Sequence, residues 1–171
     1  MSKFYQGKYQ CVNYVKYKGN PKEIYYRSKW ELLVFRWCDL NPDIIEWSSE
    51  EHIIPYICST DNKQHRYFVD LYIKYKSGKK ILVEIKPESQ SQEPKITKRK
   101  KQKTYLTEAF TWEKNKSKWK AAGLYCAERG MSFQVWGETA LASIGINVTP
   151  DRRFKWKTHL MASIITIQFS V

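Results

Sequence analysis

Two carboxylates and a lysine stand at a spacing that suits phosphodiester hydrolysis. Asp70 lies in His65-Arg66-Tyr67-Phe68-Val69-Asp70-Leu71-Tyr72-Ile73, and Glu84-Ile85-Lys86 begins fourteen residues after it. The stretches 67–75 and 80–85 are dense in β-branched and aromatic residues, and Ser77-Gly78 between them carries hairpin-turn chemistry. An antiparallel hairpin brings Asp70 and Glu84 close together. Within Glu84-x-Lys86 the strand period of two puts both side chains on one face, so a carboxylate able to hold Mg²⁺ sits beside an ammonium able to hold a water or a phosphate oxygen. The plain alternative is a solvated hairpin with its charges facing water, because a lysine-rich chain supplies such spacings by chance.

A further acid stands well upstream, in Ser28-Lys29-Trp30-Glu31-Leu32-Leu33-Val34-Phe35-Arg36-Trp37-Cys38. Trp30, Leu33, Val34 and Trp37 recur at helical spacing, and Ser28 with Glu31 three residues later forms a capping-box signature. In that structural role Glu31 bonds back to the backbone N–H of Ser28. At about 100° per residue, however, Glu31 points between Val34, Phe35 and Cys38, inside the apolar sector. A carboxylate there is costly unless it is paired or binds a metal.

Asp70, Glu84 and Lys86 resemble the signature of the PD-(D/E)xK nuclease superfamily, with Val69 where that pattern has its proline. The resemblance implies that Asp70 and Glu84 hold Mg²⁺, with Mn²⁺ as a substitute, helped by the backbone carbonyl of Ile85. It also implies that Lys86 places the attacking water and offsets developing charge, and that the first core helix supplies Glu31 beside the metal, as a ligand or to orient a water. Longer blocks carry a closer likeness: Tyr26-Arg27-Ser28-x-Trp30-Glu31, Trp47-x-Ser49-Glu50-Glu51-x-x-Ile54-Pro55-Tyr56, His65-Arg66-Tyr67-Phe68-x-Asp70 and Glu84-Ile85-Lys86-Pro87. Lys3 to Tyr9, Lys118 to Ala122 and Gly130 to Val135 join them. Together they resemble the head-completion nucleases of T-even-type tailed bacteriophages, a family similar to the N-terminal nuclease domain of the Tn7-type transposition endonuclease subunit. The likeness spans roughly residues 1–146. It implies an α/β fold, a restriction-endonuclease-like mixed sheet flanked by helices with an α-β-β-β-α-β core. It further implies a Mg²⁺-dependent DNA endonuclease acting on genome ends before tail attachment, with duplex DNA ends and phage capsid, portal or neck proteins as partners. The rival readings are a transposon-end endonuclease and a non-catalytic DNA-binding virion protein.

Charge agrees with a polyanionic partner, since 30 Lys and Arg oppose 17 Asp and Glu for a net +13. Ten basic residues fall between Lys95 and Lys120 against Glu108 and Glu113. Tyr105, Phe110, Trp112 and Trp119 interleave with them, so the region is predicted to be amphipathic helix with its aromatic residues in the core. The expected DNA-binding residues are Lys98, Arg99, Lys100, Lys101 and Lys103, of which at most about three share a direction on a helix. A solvated helix face is the plain alternative. Lysines that neutralise phosphates also bring DNA to carboxylates that would otherwise repel it.

The length of 171 residues and a hydrophobic content of 42% predict one domain. Its expected parts are an aromatic and basic arm (1–27), a nuclease core (28–146) and a basic, apolar tail (147–171). After the helix, Asn41-Pro42-Asp43 reads as a turn and 53–57 as the strand that begins the sheet. Glu50 and Glu51 before it are either partners of the metal site or ordinary exposed acids. Residues 87–94 read as a polar loop able to move when DNA enters, 132–136 as the last strand, and a short helix is expected from Glu138. The arm's aromatic residues are left open between the domain and DNA. No apolar run reaches about eighteen residues and the start lacks a signal-peptide core, so the expected location is the host cytoplasm, with virion association as a further expectation and no membrane. Cys11, Cys38, Cys58 and Cys126 form no C-x-x-C pair and no ligand spacing with His52, His65 or His159, so reduced thiols are expected and zinc is not. His65 is expected to be structural or to face DNA.

Overall fold

Strand alternation around the two acids decides the layering. The computed structural model describes residues 5–148. In chain order the elements are β1 (Gly7–Lys8), β2 (Tyr25–Tyr26), α1 (Lys29–Leu40), β3 (Ile44–Ser48), β4 (Ile53–Ile57), β5 (Gln64–Phe68), β6 (Leu71–Tyr75), β7 (Lys80–Ile85), α2 (Gln102–Ala127), β8 (Ser132–Trp136) and α3 (Glu138–Ser143). The central sheet runs β3-β6-β7-β8, antiparallel except between β7 and β8. Those two parallel strands need a long connection, which α2 supplies. This is the mixed α/β sheet flanked by helices that was expected.

Ile81-Leu82-Val83 is an unbroken apolar run because β7 is buried on both faces. Ile81 and Val83 join Leu71, Ile73 and Ile44 in a core closed by Val34, Phe35 and Cys38 of α1 and Leu141 of α3. Leu82 points the other way, to a second core with Phe133, the α2 residues Trp119, Ala122 and Cys126, and Ile54, Tyr56 and Tyr67 of the β4–β5 pair. Burial of fifteen residues in the first core and ten in the second supplies the main drive to this arrangement.

Three expectations are corrected. The central sheet begins at β3, not at 53–57, and β4 pairs only with β5 in a separate two-stranded hairpin. The predicted strand 67–75 is broken at Val69-Asp70 into β5 and β6. There the buried Val69 donates its N–H to the His52 carbonyl and accepts from the Glu50 N–H, so the chain changes partners from β4 to the central sheet. The basic run Lys98–Lys101 is not helical, because α2 starts only at Gln102, with Lys101 extended at its N-cap. Four cations would meet the positive end of the helix dipole, and Pro94 disfavours helix at the residue before it.

Of the polar loop after β7, the start is tied down. The Glu88 carboxylate accepts from the Thr139 N–H at 2.8 Å, and the Glu88 N–H donates to Glu138 at 2.8 Å. Of the arm's aromatic residues, Tyr9 and Tyr17 are buried in the first core beside Ile24, whereas Tyr5, Tyr14 and Tyr25 are exposed. Asp39, wholly buried at the end of α1, accepts from the Tyr9 hydroxyl at 2.8 Å and from the N–H groups of Val12 and Asn13 at 2.7 and 2.9 Å. The expected tail falls, from residue 149 onward, outside the described residues, as do residues 1–4. Among the described residues no helix is long and apolar enough to cross a membrane.

Candidate active site

The β6–β7 register pairs Leu71 with Val83 and Tyr72 with Leu82, and one step further sets Asp70 opposite Glu84. Alternation puts Glu84 on the Leu82 face, under α2 and the hairpin. Glu84 is only 5% exposed. Its Oε2 accepts from the Tyr67 hydroxyl at 2.7 Å and its Oε1 from Lys86 Nζ at 2.8 Å. Lys86 Nζ also lies 3.4 Å from Asn115 Oδ1. Asp70 Oδ2 accepts from the Ile85 N–H at 2.8 Å.

Two buried acids so close penalise a second negative charge. Burial first, and then the charge of Glu84, push the Asp70 carboxyl well above the usual carboxylate range, although part of its surface opens to the cleft. The Ile85 amide opposes this shift and Glu31 adds to it. Burial, followed by the charges of Glu84 and Asp70, likewise raises the Tyr67 hydroxyl well above its ordinary value, so it remains a donor at any working pH.

Glu31 combines a capping role with a place at the cleft. It caps α1, with the Ser28 hydroxyl accepting its N–H at 3.1 Å and donating to its Oε1 at 2.8 Å. The return bond comes from the Arg27 N–H at 2.7 Å, not from Ser28 as a capping box predicts. Glu31 also lines a cleft of about 240 Å³ together with Asp70, Glu84, Tyr67, Arg27, Glu50, Arg66 and Lys118. Glu50, held in the left-handed region at φ 57°, pairs with Arg27 at 2.9 Å. Glu51 lies instead in a separate hollow beside Lys18 and His52.

The structure therefore brings Glu31, Asp70 and Glu84 to one cleft, with Lys86 and the Ile85 amide against its acids. None of Lys98, Arg99, Lys100, Lys101 or Lys103 lines that cleft. Lys100 pairs with Glu108 at 2.6 Å, while the other four are exposed. Sequence reasoning missed Tyr67, Asn115 and Lys118. Asn115 and Lys118 carried a usable signal, since they stand four and one residues before Trp119 on the buried stripe of α2, as Glu31 does on α1. Tyr67 did not, because the break at Val69-Asp70 voids the period-two argument.

The expectation that cysteines and histidines share no ligand spacing is also corrected. Cys58, Asp61 and His65 meet at the tip of the β4–β5 hairpin, with ligand atoms all within 4.8 Å of one another. His65 Nε2 lies 2.8 Å from Asp61 Oδ2, whereas Cys58 Sγ lies 3.1 Å from the Thr60 hydroxyl. All four thiols are free.

A mixed sheet with clustered acids at the ends of two neighbouring strands and a helix laid over them defines a restriction-endonuclease-like nuclease domain. Residues 41–138 match the family described as TnsA-like endonuclease N terminal. The protein named "Head completion nuclease" from Enterobacteria phage T4 is 42% identical over 145 residues, which cover 82% of this chain and 96% of that protein. The chain belongs to this family of head completion nucleases. No solved structure gives a significant match.

Proposed function

We propose that the protein is a Mg²⁺-dependent DNA endonuclease that acts on genome ends during phage head completion, before the tail attaches. The observation that carries this reading is the convergence of Asp70, Glu84 and Glu31 on one cleft with Lys86 bonded to Glu84. The 96% coverage of the T4 relative supports head completion over a transposon-end role.

The donor set fits a hard divalent cation. Carboxylate oxygens without thiol or imidazole suit Mg²⁺ or Mn²⁺, and the raised pKa of Asp70 marks a paired-acid site that a cation would relieve. Asp70 and Glu84 would hold it with the Ile85 carbonyl, and Glu31 would hold a second ion or orient a water. When bound, the ion lowers the pKa of water and polarises the phosphoryl oxygen. In the hydrolysis a water oxygen bonds to phosphorus and a bridging P–O bond breaks. The water proton passes to solvent, and the leaving oxygen gains one to become an alcohol. Lys86, bonded to Glu84 at 2.8 Å, places the nucleophile and offsets charge on the phosphate. Lys98, Arg99, Lys101 and Lys103 hold the flanking duplex, and capsid, portal or neck proteins bring the enzyme to its substrate. Residues 28–146 carry the chemistry, with 1–27 and 147–171 as flanking arm and tail.

A cleavage assay on linear, nicked and branched DNA tests this. Mg²⁺ should support cutting, chelation should stop it, and Asp70→Asn or Glu84→Gln should lower the rate by at least a thousandfold while leaving the fold intact. Normal cutting by either variant overturns the site assignment, and cutting confined to one duplex sequence overturns the head-completion role.

A further inference from the structure

Helix α2 does more than bridge β7 and β8. Spacings of three and four residues set Asn115, Lys118, Trp119 and Ala122 along one stripe, and Trp119 and Ala122 fill the second core. Apolar residues would satisfy that stripe, yet two of its positions are polar, Lys118 lining the cleft of the acids and Asn115 facing Lys86. Lys118 is half-buried, lines the same cleft as Glu31, Asp70 and Glu84, and holds its ammonium 5.1 Å from the centre of the Tyr67 ring, whose hydroxyl donates to Glu84. Among the described residues, none of the ion pairs includes Lys118. Burial lowers its pKa, an effect that Glu84 partly offsets. A cation desolvated at a cleft wall without a carboxylate partner has unused capacity for an anion.

Asn115 stands one turn earlier and is buried. Its Oδ1 faces Lys86 Nζ at 3.4 Å, and among the described residues its Nδ2 has no hydrogen-bond partner. A buried amide with one end on Lys86 and the other unsatisfied fixes where Lys86 can reach.

We propose that Lys118 is a second catalytic lysine, which binds a non-bridging oxygen of the scissile phosphate from the α2 side while Lys86, positioned by Asn115, acts from the β7 side. The proposal rests on the nuclease reading above. With a lysine on each wall, the phosphate is gripped from two elements, and the charge that builds on its oxygens as water adds meets two ammonium groups in a partly dry cleft. The aromatic face of Tyr67 supports Lys118 before DNA arrives, by cation–π attraction.

The test compares Lys118→Ala, Lys118→Gln and Lys118→Arg in the full chain by single-turnover cleavage at saturating DNA, with Mg²⁺ titrated. DNA affinity in Ca²⁺ and melting temperature are measured alongside. Lys118→Ala and Lys118→Gln should slow cleavage by about a hundredfold at every Mg²⁺ concentration. DNA affinity should stay within about threefold of the parent and the melting temperature should not fall. Lys118→Arg should restore part of the rate. Asn115→Ala should reduce the rate, because Lys86 is then free to move. An undiminished rate in Lys118→Ala overturns the proposal, and so does a loss erased by excess Mg²⁺, which would make Lys118 only a stand-in for the cation. Absence of cleavage by the unaltered protein with Mg²⁺ or Mn²⁺ overturns the nuclease reading itself, a result distinct from either.

Discussion

Asp70 is held in a state that suits binding better than folding. In the unfolded chain its carboxyl titrates near ~3.9. In the folded protein burial and Glu84 raise that value well above the usual range. Between the two values the folded chain keeps a proton that the unfolded chain releases, so stability falls as pH rises through that window. The penalty persists at neutral pH. Without metal, Asp70→Asn should therefore melt a few degrees above the unaltered protein at pH 7, the gap closing below about pH 4. Scanning calorimetry in chelator checks this, and a lower melting temperature at pH 7 would contradict it. Adding Mg²⁺ should stabilise the parent and leave the variant nearly unmoved. At this scale the sequence was informative wherever an ionisable group broke an apolar pattern or shared a strand face. Glu31 and the Glu84–Lys86 pair followed from period alone. The raised state of Asp70 comes from burial and from Glu84 and Glu31, which the fold brings to it, and no local pattern encodes that meeting.

Among the elements, the least legible were those whose borders depend on partners. The stretch 67–75 has continuous β propensity, yet Val69 leaves one sheet and Asp70 enters another, a choice made by backbone groups at Glu50 and His52. β3 was hidden because Ile44-Ile45-Glu46-Trp47-Ser48 is too short to show a period before its neighbours are known. The basic run shows the opposite failure, since composition suggested helix where the dipole of α2 forbids it. That correction sharpens the DNA prediction. Lys98, Arg99 and Lys101 now lie on an exposed, non-helical segment before α2, free of the limit a helix sets on how many face one way. Replacing all three with Ala should weaken DNA binding about equally on all sequences and reduce the slope of log affinity against log salt by about two to three. Cleavage at saturating DNA should change little. Fluorescence anisotropy at several salt concentrations decides it, and an unchanged slope would show that DNA enters by another face.

For the molecule as a whole, the N-terminal segment is part of the folding unit, and Asp39 ties it in. Burial alone would raise the pKa of Asp39. The amides of Val12 and Asn13, with Tyr9 and Cys11, outweigh burial and hold it below the ordinary value. The stability it lends is therefore present above ~3.9 and is lost as pH falls through the lower folded value. Asp39→Ala strands those donors and should cost about 3 kcal/mol in urea unfolding at pH 7. A cost under about 1 kcal/mol would mean that the segment docks without it. The general class, a mixed sheet under helices, was legible because alternation on β7 and the long α2 connection permit little else. The presence of two cores was not legible, since it depends on which face each strand offers. Glu31 rides on α1, which closes the first core, Lys118 rides on α2 and Tyr67 is buried in the second, and Glu84 on β7 and Asp70 just before β6 lie between them. On the proposed function, cutting needs both packing events, and a half-unfolded chain with only one side closed carries the residues without assembling the cleft.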